Sequence, residues 1–161
     1  MTIQGKTVSQ SQVETFHIVR PNDLNPAGRL FGGTLMSWID EVAALVARRH
    51  AQMNVTTGSV DNLKFLSAVY LEEMLVMKGK VTHVGTCSME IKVETFVEHI
   101  NGQRDLVNVA YFTLIGLDDK DKPAPLPKLK LETEEDRIEW EKANKRRELR
   151  RKQAQEGFHF Y

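Results

Sequence analysis

Three features of the chain have residue types that could do chemistry together. Asn25 lies in the turn-rich run Asn25-Pro26-Ala27-Gly28, Gly32 and Gly33 open a helical pattern, and Asp40 sits inside that pattern. A helix N-terminus carries unpaired backbone N–H groups and the positive end of the macrodipole, so it can hold a developing oxyanion. Glycine lets a ligand approach that backbone closely. From Gly33 to His50 the apolar residues Leu35, Met36, Ile39, Val42, Ala43, Val46 and Ala47 recur at the spacing of one broad buried face. Asp40 interrupts it. One turn away on either side stand Met36, Ala43 and Ala44, which puts the carboxylate at the margin of an apolar layer. There it is either a base or nucleophile shielded from water, or a structural acid paired with Arg48 or Arg49. The pattern leaves both open.

The elements that must position these groups follow from periodicity and turn chemistry. A first strand is expected over Val13 to Val19, then an ordered loop through Pro21-Asn22-Asp23-Leu24-Asn25-Pro26, then the helix. Strands follow at Val55 to Phe65 and Met74 to Val84, and at Met89 to Val97, where apolar and charged residues alternate. Asn101-Gly102 marks a hairpin into a last long strand, Leu106 to Leu117. Strands joined by short turns pair antiparallel. The fold class is α+β, an antiparallel sheet curled around one long central helix, the hot-dog arrangement.

A chain of 161 residues supports one domain with a real core. The expected division is a flexible N-terminus over 1–12, the globular domain over 13–127, and a charged helical extension over 128–161. The extension starts at a capped Thr133, and its acids precede its bases along the helix. Its apolar residues are sparse, so it is expected to be solvated, with its basic run a helix end rather than a nucleic-acid site. Net charge is zero, which offers no field toward nucleic acid or anionic lipid. The polar start and the lack of a long apolar run suggest a cytoplasmic protein without membrane insertion. Cys87 is the only cysteine, and the five histidines have no ligand spacing, so no metal is expected.

These residues resemble the hot-dog acyl-CoA thioesterases, specifically the cytosolic acyl-CoA hydrolase group. The similarity runs from about Phe16 to Leu117. It includes Arg20-Pro21-Asn22-Asp23, Asn25-Pro26-Ala27-Gly28, Phe31-Gly32-Gly33-Thr34-Leu35-Met36, Ile39-Asp40-Glu41-Val42-Ala43, Ala47-Arg48-Arg49-His50, Thr56-Thr57-Gly58-Ser59-Val60-Asp61 and Ser88-Met89-Glu90-Ile91. The resemblance implies hydrolysis of acyl-CoA to free fatty acid and CoA. Asn25 and Asp40 fall at the family's catalytic positions, with backbone N–H at or beside Gly32 and Gly33 meeting the thioester oxygen. Gly58, Ser59 and Val60, with Cys87, Ser88 and Met89, fall in segments that line the CoA channel. No cofactor is implied, since coenzyme A belongs to substrate and product. Many relatives have His where this chain has Phe31, so no catalytic imidazole is expected at that place here. The contrasting expectation is a non-catalytic acyl-CoA-sensing module that acts through its charged tail.

Helix geometry adds a constraint of its own. From Gly32 to Asp40 an α-helix advances roughly 12 Å, too far for both to act on one thioester. A water attacking a carbonyl held at Gly32 needs its base within hydrogen-bond reach. Asp40 is therefore expected from a second subunit, with a homodimer as the minimal unit. Family resemblance extends this to a trimer of dimers.

Overall fold

The computed structural model describes residues 4–157. Its main sheet has five antiparallel strands in the order β2-β4-β5-β6-β3. These are β2 (Val13–Ile18), β3 (Asn54–Phe65), β4 (Met74–Val84), β5 (Ser88–Glu98) and β6 (Arg104–Leu117). Helix α1 (Gly32–Ala51) lies along the concave face. Its buried residues Leu35, Ile39, Val42, Ala43, Val46 and Ala47 meet Leu75, Met77, Met89, Ile91, Val93, Phe112 and Leu114 of the sheet in one core.

The helix seats closely because β4 has no side chain at its centre. A Cβ at Gly79 would stand 2.8 Å from Val42 Cγ1 and from Val46 Cγ2. The hairpin between β5 and β6 forms as its residues require. Gly102 takes φ 82°, and the Asn101 side chain accepts from the Gln103 N–H at 2.9 Å.

Among the described residues, the segments flanking the central domain pack more closely than expected. Lys6–Thr7 (β1) pairs in parallel with Leu129–Lys130 (β7), and Val8 and Ser11 are buried, so residues 6–11 are tied down rather than flexible. His50, at the end of α1, touches both segments, with Nε2 2.8 Å from Pro127 O and Nδ1 3.5 Å from Ser11 Oγ. The C-terminal helix α2 (Glu134–Gln155) starts at the expected Thr133 capping box but is not a solvated extension. It lies on the sheet's outer face and buries Ala143 and Glu139. Its docking is polar, which explains why an apolar count could not find it. Lys80 pairs with Glu135 and Lys92 with Glu139, Trp140 stacks on His83 at 4.2 Å, and Arg146 lies 4.1 Å over Tyr111. Arg146 also donates to both oxygens of buried Glu90, at 2.6 and 3.2 Å. Burial alone would raise the Glu90 carboxyl, but Arg146 and the Thr82 hydroxyl hold it below its usual range.

Two predictions test this packing. Gly79→Ala should lower unfolding free energy by about 1–3 kcal/mol, as overpacking does, and denaturant midpoints measure it. Burial lowers the titration of His17, His50 and His83 below the ordinary 6.5. Below that pH the unfolded chain binds protons that the folded chain refuses, so stability should fall as pH drops from 7.5 to 5.5. Equal midpoints at both values would contradict the burial of neutral imidazoles.

Candidate active site

The loop from Pro21 to Leu30 folds onto itself around Asn25. The Asn25 side-chain Oδ1 accepts from the Ala27 N–H at 2.9 Å and from the Arg29 N–H at 3.2 Å. Its main-chain N–H donates to Arg29 O at 2.7 Å, and Gly28 closes the turn at φ 72°. With Oδ1 committed, the group left to face outward is Nδ2, a two-proton donor. The loop is held against the helix start by Phe31 N–H to Asp23 O at 2.8 Å and by Leu30 N–H to Val69 O at 2.8 Å.

Helix α1 begins at Gly32, and the Leu35 N–H makes its first backbone bond, to Phe31 O at 3.1 Å. The N–H groups of Gly32, Gly33 and Thr34 are the orphan donors of the first turn. A Cβ at Gly32 would come into van der Waals contact with the Phe65 ring, 3.5 Å from Cζ, so this backbone faces that ring. Asn25 and Gly32 share an open cleft of about 270 Å³ with Leu35, Phe65, Leu66 and Val69. The cleft therefore joins one side-chain donor, the positive end of a helix and an apolar wall, a set suited to a carbonyl with an attached apolar chain.

Asp40 is half-buried, two turns further down the helix, and does not line this cleft. Its Oδ1 accepts from the Thr57 hydroxyl on β3 at 2.7 Å. Thr57 is a candidate site residue that sequence reasoning left without a role. Only sheet register could find it: Thr57 stands opposite core-facing Leu114, so its side chain points at α1. Neither Arg48 nor Arg49 pairs with Asp40 among the described residues.

The segments assigned to a CoA channel divide between the two faces of the sheet. Gly58 is a bulge, the unpaired residue between Thr57↔Leu114 and Ser59↔Thr113. A Cβ there would come within 3.1 Å of Ile115 Cδ1 and 3.3 Å of the Thr113 carbonyl. The bulge turns Ser59 to the outer face while Thr57 stays on the helix side. Ser59, Ser88 and Met89 then border a second pocket, of about 320 Å³, beneath α2. Val60 is exposed at the sheet edge, half-buried Cys87 accepts from the Gly116 N–H through its carbonyl, and Gly33 is exposed on the first helical turn. Trp38 stacks on His17 at 4.4 Å, on the flank away from the cleft. Among the described residues no cluster of His, Cys, Asp and Glu could hold a metal, and no helix is long and apolar enough to cross a membrane.

Comparison with known proteins decides the family. Residues 27–101 match the model of the thioesterase superfamily. An acyl-CoA thioester hydrolase of Bacillus subtilis is 37% identical over 136 residues, covering 84% of this chain and 79% of that protein. The chain belongs to the acyl-CoA hydrolases of the thioesterase superfamily. The rat cytosolic acyl coenzyme A thioester hydrolase is 36% identical over 96% of this chain, which spans 41% of that longer protein. Among solved structures, the Staphylococcus aureus acyl-CoA hydrolase in complex with butyryl-CoA and CoA superposes at TM-score 0.89, with 34% identity, covering 94% of this chain and 93% of that one. Alanine variants of that enzyme at an asparagine, an aspartate and a threonine have also been solved. A hexameric acyl-CoA thioesterase superposes at 0.90, with 37% identity, covering 94% and 98%.

Thr57→Val keeps the volume and removes the donor. A hydrogen bond to a charged group contributes about 1.5–3 kcal/mol. If it holds Asp40 in its working orientation, thioester turnover should fall roughly ten- to a hundredfold with KM little changed, as steady-state kinetics will report.

Proposed function

We propose that this protein hydrolyses acyl-CoA thioesters to free fatty acid and CoA, with Asp40 as general base or nucleophile and Asn25 as a positioning donor. The observation that carries the reading is one of spacing. Asn25, Asp40 and Thr57 are separated by 15 and 17 residues, the same intervals that separate the three altered positions in the Staphylococcus aureus hydrolase. The cleft supports it chemically, since a presented amide and a helix N-terminus converge on one apolar-walled opening.

In this account the thioester oxygen accepts from the first-turn N–H groups at Gly32 and Gly33, and Asn25 Nδ2 orients the carbonyl or the water. Thr57 engages Oδ1 of Asp40, which leaves Oδ2 for the reaction. Water attacks the carbonyl carbon as the carboxylate takes its proton, the C–S bond breaks, and the thiolate leaves as CoA after protonation. Direct attack by the carboxylate, through an anhydride that water then cleaves, uses the same placement. No cofactor is required.

The carboxylate at each cleft belongs to a partner subunit. Two features favour pairing along β3: it is the outermost strand of its sheet, and Val60, Phe65 and Leu66 stand 44–50% exposed at its edge. An unpaired strand edge of this length is a ready template for another chain. The homodimer is then the active unit, and the hexameric relative supports a trimer of dimers. A cytoplasmic location fits the rat relative's name. No nucleic-acid partner is part of this reading.

The test is thiol release from a panel of acyl-CoAs of increasing chain length. Asp40→Asn should lower turnover on the order of 10² to 10⁴, as loss of a general base does. Asn25→Ala should lower it on the order of 10² to 10³, as loss of an oxyanion donor does. No thiol release from any chain length would overturn the assignment. Near-wild-type turnover in Asp40→Asn would remove that residue from the chemistry.

A further inference from the structure

Among the described residues four buried side-chain oxygens have no protein partner, and three of them, on Thr15, Thr95 and Asn108, fall on one row of the sheet. Strand register aligns Thr15 with Met77, Met77 with Thr95, Thr95 with Asn108, and Asn108 with Phe65. The row looks toward α1, because Val13, Met77, Val93 and Ala110, on the same alternation, belong to the core. An unpaired buried oxygen is costly, so each needs a physical reason. Thr95 and Asn108 are fully enclosed, and Asn108 stands one strand in from Phe65, which walls the Asn25–Gly32 cleft together with Leu35. Asn108 Nδ2 donates to Lys64 O at 2.9 Å, which fixes the amide and leaves Oδ1 as its free end. Side chains directly opposite on paired strands have Cβ atoms about 4.5–5.5 Å apart, so a single hydroxyl oxygen fits between the threonine and the amide.

We propose that the cleft continues inward past Leu35 and Phe65 to Thr95 and Asn108, and that this hydrolase selects acyl-CoA substrates with a hydroxyl on the acyl chain. The site presupposes the hydrolase reading and specifies the chain that it takes. A chain hydroxyl satisfies both groups at once, donating to Asn108 Oδ1 and accepting from the Thr95 hydroxyl. An unsubstituted chain leaves both unpaired, and a site discriminates strongly when its buried polar groups go unmet. The route runs from β3 toward β6 and β5, away from the β3 edge, so pairing of that edge with a partner leaves it clear. Thr15 lies two strands beyond Thr95, about 9–10 Å away, and takes no part in holding the same hydroxyl.

Thiol release from hexanoyl-CoA and from hydroxyhexanoyl-CoAs, with the hydroxyl at each position from the third carbon to the sixth, tests the assignment after subtraction of the enzyme-free rate. At least one hydroxylated chain should exceed hexanoyl-CoA about tenfold or more in kcat/KM, the worth of one buried hydrogen bond. Thr95→Val keeps the shape, removes the hydroxyl and breaks no protein hydrogen bond, and it should bring that ratio close to one. Thr95→Ala deletes the same hydroxyl with a smaller side chain and should do likewise, while Thr95→Ser retains it and should retain the preference. Each protein's hexanoyl-CoA rate is its own reference, so a partly inactive sample does not distort the ratio. Hydrolysis of hexanoyl-CoA with no preference for any hydroxylated chain would overturn the proposal and leave the hydrolase reading standing. A preference that survives in Thr95→Val, with a lower denaturant midpoint, would mark a hydroxyl that serves only the fold and would also overturn it. No thiol release from any of these esters would remove the hydrolase reading, and this proposal with it.

Discussion

An α-helix rises about 1.5 Å per residue, and that fixed step governs this molecule's chemistry. Helix α1 presents orphan N–H groups at Gly32 and a carboxylate at Asp40, and no rearrangement of side chains brings the two onto one carbonyl. On the proposed reading, a site that uses both groups of this rigid, buried helix is assembled from two copies of it. The core enforces the rigidity. Val42 and Val46 sit against the bare backbone of Gly79, and the neighbouring helical residues are fully enclosed, so α1 has no freedom to slide.

The edge strand β3 connects this constraint to the rest of the fold. Its bulge at Gly58 changes which residues look inward. Thr57 faces α1 and takes hold of Asp40, while Ser59 faces α2 and borders the pocket beneath it. Were Gly58 paired in step instead of bulged, strict alternation would put Thr57 and Ser59 on one face. The strand so shaped turns Thr57 to the helix and Ser59 to the outer pocket, with its outer edge unpaired among the described residues. On the proposed reading, catalysis and assembly meet at twelve residues, Asn54–Phe65.

Much of this was legible in the sequence because it depends on local chemistry. Periodicity marked α1 and the five long strands, the Asn-Gly pair marked the hairpin at Gly102, and Asn25, Gly32 and Asp40 stood out by type and spacing. What escaped depends on register or on polar contact at long range. Thr57 looks like any β-branched strand residue until its partner Leu114 is known. Helix α2 has few apolar residues, so its pattern resembles a solvated helix. Its complement, Lys80, Glu90 and Lys92, lies on strands 40 or more residues away. The strand pair β1 and β7 is two residues long and carries no periodic signal.

The shared site is tested most directly by mixing two inactive subunits. Asn25→Ala and Asp40→Ala variants, tagged differently, can be denatured and refolded together or co-expressed. In a mixed dimer one site loses both residues and the other keeps both. With equal, random pairing half the dimers are mixed and each has one intact site, so roughly a quarter of wild-type thioesterase activity should return from two nearly inactive parents. Proven subunit mixing with no recovered activity would contradict the account, because it would mean that Asn25 and Asp40 act within one chain.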